Sequence, residues 1–309
     1  MNKNNRLNEV FNNSERIEFN NDDCIVFFSD VHRGNNSLAD EFAHNQIIYF
    51  HALSHYYDAG FTYVELGDGD DIMKFKFIDI LRDSHEHIYE MLEKFHLEGR
   101  FHYIYGNHDF AYRNPDTLLK KSKEQLHFHQ GNQDNLFLDF PVSEGKVFSH
   151  QESGLNFFVT HGHQGETLND KLPWLTQFLL RNFWRPLQLI GIQDPTSVGR
   201  NKYKSKNIEK KLIDWVAANN QPMICGHTHQ EHFPEKNEPP YFNTGSCVHP
   251  RWITCIEIKK GRISLVRWHI KPRKKGSLYV KRKVINGPKN IDSLLKQDSA
   301  EIKLENNQK

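Results

Sequence analysis

The sequence is poor in cysteine. It has four, at Cys24, Cys225, Cys247 and Cys255, in 309 residues, and none belongs to a Cys-x-x-Cys pair. That excludes a disulfide-stapled scaffold and makes a reducing cytoplasm the expected compartment. Net charge is scarce as well. The 40 Lys and Arg against 39 Asp and Glu leave a balance of +1, whereas a chain that wraps nucleic acid carries a clear basic excess. Nucleic acid is therefore not an expected partner. No apolar run reaches the roughly 18 residues of a membrane span. Residues 1–23 hold no apolar stretch of the kind a secretory leader needs. Internal repeats are absent too. What remains is a globular chain, since 37% hydrophobic and 12% aromatic residues suffice for a core.

The length fits one large domain or two small ones. Residues 1–21 are polar and Asn-rich and predict a frayed leader. Residues 24–30, CIVFFSD, form a short continuous apolar run ending in polar residues, the pattern of a buried strand entering a loop. The same device recurs at 61–68, 100–109, 156–165 and 221–230. Helical spacing is predicted over 38–59, about 76–97 and 207–218. Residues 242–248, 251–260 and 262–270 predict further strands, the last two joined by a hairpin at Lys260-Gly261. Strand, loop and helix alternate, which predicts an α/β fold with function at the strands' carboxyl ends. The domain of interest spans 22–270, with a mostly helical insert at about 166–215 and a basic extension at 271–309.

The abundant residue is histidine, the commonest metal ligand: there are 19. Five short motifs stand at strand ends: Asp30-Val31-His32, Gly67-Asp68-Gly69-Asp70-Asp71, Gly106-Asn107-His108-Asp109, Thr160-His161-Gly162-His163 and Gly226-His227-Thr228-His229. Each pairs metal-ligand side chains with small residues that allow a tight loop. Carboxylate, imidazole and amide oxygen together suit Mn, Fe, Zn, Co or Ni, and the lack of cysteine in all five argues against a structural zinc site.

In this order the motifs resemble those of the calcineurin-like metallophosphoesterases: D-x-H, G-D-x-x-D, G-N-H-D or E, G-H and G-H-x-H. The resemblance runs from about residue 24 to 270. It implies a two-sheet β-sandwich flanked by helices, with a dinuclear metal centre at the strand ends. Carried over, one ion is held by Asp30, His32, Asp68 and His229, and a second by Asp68, Asn107, His161 and His227, with Asp68 bridging. Manganese is the first choice of metal, with iron, zinc, cobalt or nickel as alternatives. His108 is expected to contact the phosphate with Asn107 and to assist the leaving group, Asp109 to orient its ring, and Asp71 to lend support without ligating. The activity implied is hydrolysis of a phosphomonoester or phosphodiester by a hydroxide bridging two metals. A branch that cleaves the pyrophosphate of a lipid-linked UDP-sugar (UDP-2,3-diacylglucosamine pyrophosphohydrolase) is similar in layout, but typically has Arg where this chain has His108. A catalytically silent metal-binding scaffold is the alternative of another class.

Several residues outside this set carry competing readings. Arg33, directly after a metal motif, is a candidate for a substrate phosphate or an exposed loop arginine. His163 competes with His161 as a ligand, and His161 is preferred as the first loop residue after its strand. Asp70 reads as a solvated or capping acid, and His249 as a structural residue near the cleft rim. Residues 172–192, LPWLTQFLLRNFWRPLQLIGI, are unusually apolar. They suit a lid, a peripheral contact with a membrane surface, or plain packing. A phosphorylated small molecule, a nucleotide or a lipid is thus the expected partner. The basic stretch after 270 is best read as a final edge strand with solvated lysines.

Overall fold

Apolar runs without alternation form strands that are covered on both faces. In the computed structural model, which describes residues 5–75, 84–114, 141–165, 201–297 and four isolated positions between 180 and 187, β2 (Cys24–Phe28) shows this directly. Ile25 and Phe27 point into the core between two sheets, while Val26 and Phe28 point to a helical layer. The same division holds for β3 (Thr62–Leu66), β4 (Phe101–Ile104), β7 (Asn156–Thr160) and β8 (Met223–Cys225). Truncating a residue such as Phe27 to Ala should cost about 3–5 kcal/mol.

With β1 (Glu15–Phe19), β5 (Val142–Ser143), β6 (Gly145–His150), β9 (Tyr241–Asn243), β10 (Trp252–Lys259), β11 (Arg262–Pro272) and β12 (Leu278–Asn290), these strands make two sheets. One has five strands in the order β1-β6-β7-β8-β9, the other seven in the order β12-β11-β10-β2-β3-β4-β5. Both sheets are mixed. Strands β2 to β5 are parallel to one another, and so are β7, β8 and β9. The sandwich core packs Phe27, Val64 and Ile256 of one sheet against Phe148, Phe157 and Ile224 of the other.

Among the described residues four helices cover the outer faces. Helices α2 (Gln46–Asp58) and α3 (Glu86–Leu97) lie on the seven-stranded sheet. Helices α1 (Asn5–Asn13) and α4 (Lys202–Asn219) lie on the five-stranded one. Helix α4 buries Ile208, Leu212, Trp215 and Val216, spaced three and four residues apart along one face. The Asn201 side chain accepts the Lys204 N–H at its start, and Asn220 ends it in the left-handed conformation. The fold class expected from the sequence, a two-sheet sandwich flanked by helices, is the one observed.

At the termini one expectation needs correction and one is met. Residues 5–19 are not a frayed leader, because α1 packs Leu7 and Val10 against Phe158 and Trp215, and β1 pairs in parallel with β6. The stretch after 270 supplies the final edge strand expected of it, and this strand is continuous with the domain that was bounded at 270. Strand β11 runs on to Pro272, β12 pairs with it as the sheet edge, and Ile291 and Leu294 are buried at the end of the sandwich core. The hairpin between β10 and β11 turns at Lys260 and Gly261, both at positive φ. Among the described residues no helix is long and apolar enough to cross a membrane. Of the insert expected over 166–215, the part up to 200, including nearly all of 172–192, lies outside the described residues.

A carboxylate and imidazole cluster at the strand ends

Parallel strands deliver their carboxyl ends to one edge, and the five motifs follow β2, β3, β4, β7 and β8. The β2 and β3 loops stay hydrogen-bonded to each other past their strands. Asp30 N–H donates to Gly67 O at 3.1 Å, His32 N–H to Asp68 O at 2.8 Å and Arg33 N–H to Gly69 O at 2.9 Å. Asp30, His32, Asp68, His227 and His229 all have φ between 51° and 70°. Left-handed backbone at a residue other than glycine costs about 1–3 kcal/mol and persists only where surroundings impose it, typically at functional sites. Close approach explains two glycines. A Cβ on Gly106 would lie 2.2 Å from Asp68 Oδ1, and one on Gly226 would lie 2.1 Å from Ser29 Oγ.

The result is two compact groups of potential ligands. Asp30, His32 and His229 bring their ligand atoms within 4.8 Å of one another, and Asp68, His161 and His227 do the same. In the first group His229 Nε2 lies 3.1 Å from Asp30 Oδ1 and 3.2 Å from His32 Nε2. The second is joined to it through Asp68 Oδ2, which lies 3.2 Å from His161 Nε2 and 3.8 Å from His32 Nε2. His161 Nδ1 faces the Leu66 carbonyl at 2.7 Å, which fixes the ring with Nε2 toward Asp68. His163 belongs to neither group. The Asn107 side-chain oxygen is buried with no hydrogen-bond partner among the described residues, a costly state unless a cation or donor uses it. Carboxylates, imidazoles and an unused amide oxygen fit a borderline divalent metal, so the residues present suit divalent metal binding.

The electrostatics agree with that. Burial works against charge on Asp30 and Asp68, yet the surrounding imidazoles hold both carboxylates well below their usual range. Burial opposes protonation of His161 too, but Asp68 and Asp30 raise it to about 10. His229 is raised mainly by Asp30 against the same burial cost. His32 goes the other way, lowered to about 4 by burial and by the neighbouring His108.

His108 sits beside this cluster, its ring 4.6 Å from that of His32. Its N–H donates to Asp68 Oδ1 at 2.8 Å, and its Nδ1 lies 2.9 Å from Asp71 Oδ1. Asp109 therefore does not orient the ring, the role the resemblance implied for it. That carboxylate accepts the Gly69 and Gly106 N–H groups and the Tyr103 hydroxyl, which pins two metal-motif loops together. Asp71 does the orienting instead.

Arg33 is corrected likewise. It is 1% exposed, with its guanidinium paired to both oxygens of Glu65 at 3.1 Å and its Nε to Asp70 at 2.7 Å. It cannot reach a substrate phosphate. Asp70, expected as a solvated or capping acid, is buried and also accepts the Tyr89 and Tyr112 hydroxyls at 2.5 Å. This network behind the β3 loop escaped sequence reasoning, although Glu65 left a trace as the one acid inside the apolar strand TYVEL. His249 stacks on Trp252 at 3.6 Å, and Cys247 N–H donates to the Asp30 carbonyl, which puts that loop at the rim on the side of the first group.

No family model matches this sequence, and no curated protein matches it. Among solved structures the chain is similar to Vps29 of Chaetomium thermophilum, at 9% identity and TM-score 0.38 over 85% of this chain and 96% of that one. It is also similar to a Staphylococcus aureus protein named as a 5'-nucleotidase and crystallised with α-ketoglutarate, at 14% identity and TM-score 0.35 over 89% of this chain. The match covers 57% of that longer protein. At such values neither protein's chemistry transfers to this chain.

Proposed function

We propose that the chain is a metal-dependent phosphoester hydrolase of the calcineurin-like metallophosphoesterase type. The observation that carries this reading is the pair of ligand groups, Asp30/His32/His229 and Asp68/His161/His227, meeting at Asp68 with the oriented His108 beside them. Asn107 would complete the second group. Two divalent ions held there, manganese foremost, would activate water and neutralise charge developing on the phosphoryl oxygens.

The remaining work falls to the chain's own residues. Asp71 holds His108 Nδ1 and leaves Nε2 for the leaving oxygen. Burial disfavours charge on His108, but Asp68 and Asp71 raise it to about 9, so the ring has a proton to give at neutral pH. A silent scaffold would have no use for an acid held in this way. The substrate is a phosphomonoester or phosphodiester of a small molecule, a nucleotide or a lipid, the last met at a membrane surface through 172–192.

The test is hydrolysis of aryl phosphomonoesters and phosphodiesters by metal-stripped protein as Mn²⁺ is titrated back. Metal-dependent turnover that Asp68→Asn or His108→Ala lowers by orders of magnitude is expected. Metal-loaded protein that turns over neither substrate would overturn the reading.

A further inference from the structure

A third set of ligand atoms lies beside the two groups. The ligand atoms of His32, Asp71 and His108 are also within 4.8 Å of one another. By donor chemistry alone this is another place for a divalent ion. An ion there would share His32 with the first group and take His108 away from a substrate.

The chain has already placed a cation against that carboxylate. Lys74 is 4% exposed, and its Nζ lies 3.2 Å from Asp71 Oδ2. The Ala39 carbonyl accepts from the same ammonium at 3.2 Å. The other Asp71 oxygen takes the Lys74 main-chain N–H and faces His108 Nδ1. Met73 N–H donates to the His108 carbonyl, so the 71–74 turn clasps the His108 loop. Burial works against charge on Lys74, but Asp71, Glu41 and Asp40 raise its pKa above that of a free lysine. The ammonium is thus a fixed positive charge in a low-dielectric setting, where repulsion of an incoming dication is strong.

We propose that Lys74 limits the metal count of this site. Its ammonium engages Asp71, keeps a further ion out of the His32–Asp71–His108 set and so leaves His108 for the substrate. The proposal rests on the metal-dependent reading above for the identity of the occupied groups. The guarding role itself is measured as a difference between variants.

The experiment counts manganese per chain by elemental analysis after equilibrium dialysis of the full-length protein against excess Mn²⁺. Lys74→Met is expected to bind one ion more than the unmodified protein. Lys74→Arg, which keeps the charge, and the double variant Lys74→Met with Asp71→Asn, which removes the carboxylate, are expected to bind no more than it. Lys74→Gln, with its polar tip, serves as a second charge-free variant and should behave as Lys74→Met even if the methionine disturbs folding. Equal counts across all five proteins at a nonzero value would overturn the guard and leave the metal centre standing. An extra ion in the charge-free variants, with none in the unmodified protein, would support the guard and overturn the dinuclear reading. No manganese in any of them would sink both.

Discussion

The two ligand groups offer similar donors but differ in access to water. Asp68, His161 and His227 are all buried, and the His161 side chain is wholly covered. In the other group His229 keeps 19% of its side chain exposed. The difference follows from position. His161 follows a strand of the sandwich and is anchored to the Leu66 carbonyl of the opposite sheet, whereas His229 lies in the loop beyond β8, facing the rim. An ion in the inner group would be held by covered ligands, of which His161 is fixed by the Leu66 carbonyl and Asp68 by the His108 main-chain N–H, and would exchange slowly. One in the outer group would exchange readily and be the one a substrate meets first.

The largest effect expected is from Asp68, the residue through which the two groups adjoin. Asp68→Asn removes the charge that faces His161 and His32, and should lower metal-dependent hydrolysis by about 10³-fold, comparable to losing a principal electrostatic group in an active site. Metal should be lost from both groups. If elemental analysis finds only one ion displaced, the two groups are independent and Asp68 belongs to one of them.

Next comes the contrast itself. His161→Ala should abolish the slow phase of metal release to a chelator, whereas His229→Ala should abolish the fast phase and leave the slow one. Loss of a single imidazole should weaken affinity at its own group by at least the 10–100-fold seen when an outer-sphere partner is lost. Identical release kinetics for both variants would erase the distinction between inner and outer positions.

Much of this edge of the molecule was legible in the sequence because strands buried on two faces leave continuous apolar runs, and each run stops at a motif of ligands and glycines. The ligand groups follow from those motifs. The parts that were not legible depend on partners distant in sequence. Arg33 reads as a loop arginine until Glu65 and Asp70 are brought to it, and His108 takes Asp71 rather than adjacent Asp109 as its partner. Strand β1 was hidden for another reason. It buries only Phe19, at an edge, and its apolar signal is diluted by the asparagines around it.

A smaller effect separates the groups by pH. A ligand held above its ordinary pKa must shed its proton when a metal binds, so affinity rises as pH rises and levels off above the shifted value. His161, held up at about 10, should impose this throughout the neutral range, at about tenfold per pH unit for each proton released. His32, pushed down to about 4, is already neutral and sheds none, which leaves only His229 to give the outer group such a dependence. Calorimetric Mn²⁺ titrations in buffers of different ionisation enthalpy would count the protons. Proton release that is the same for the inner and outer phases would contradict the assignment.

The smallest effect tests whether the outer group's openness belongs to the rim or to the site. His249 stacks on Trp252, Arg267 lies over the Trp252 ring at 4.1 Å, and Asn45 donates to the Cys247 and His249 carbonyls at 2.8 Å. That loop is held from below by Asn45 and from the side by the Asp30 carbonyl, so the His249 ring adds packing, and the hydrogen bond its Nδ1 accepts from Arg251 N–H at 3.2 Å, to a backbone already fixed. His249→Ala should therefore cost about 1–3 kcal/mol of stability, the worth of one aromatic pair and one hydrogen bond. Metal stoichiometry and the fast phase of metal release should not change. A thermal melt and the chelator assay on the same sample decide it. If the fast phase quickens while the melt barely moves, His249 shields the outer ion, and the rim must be counted as part of the site.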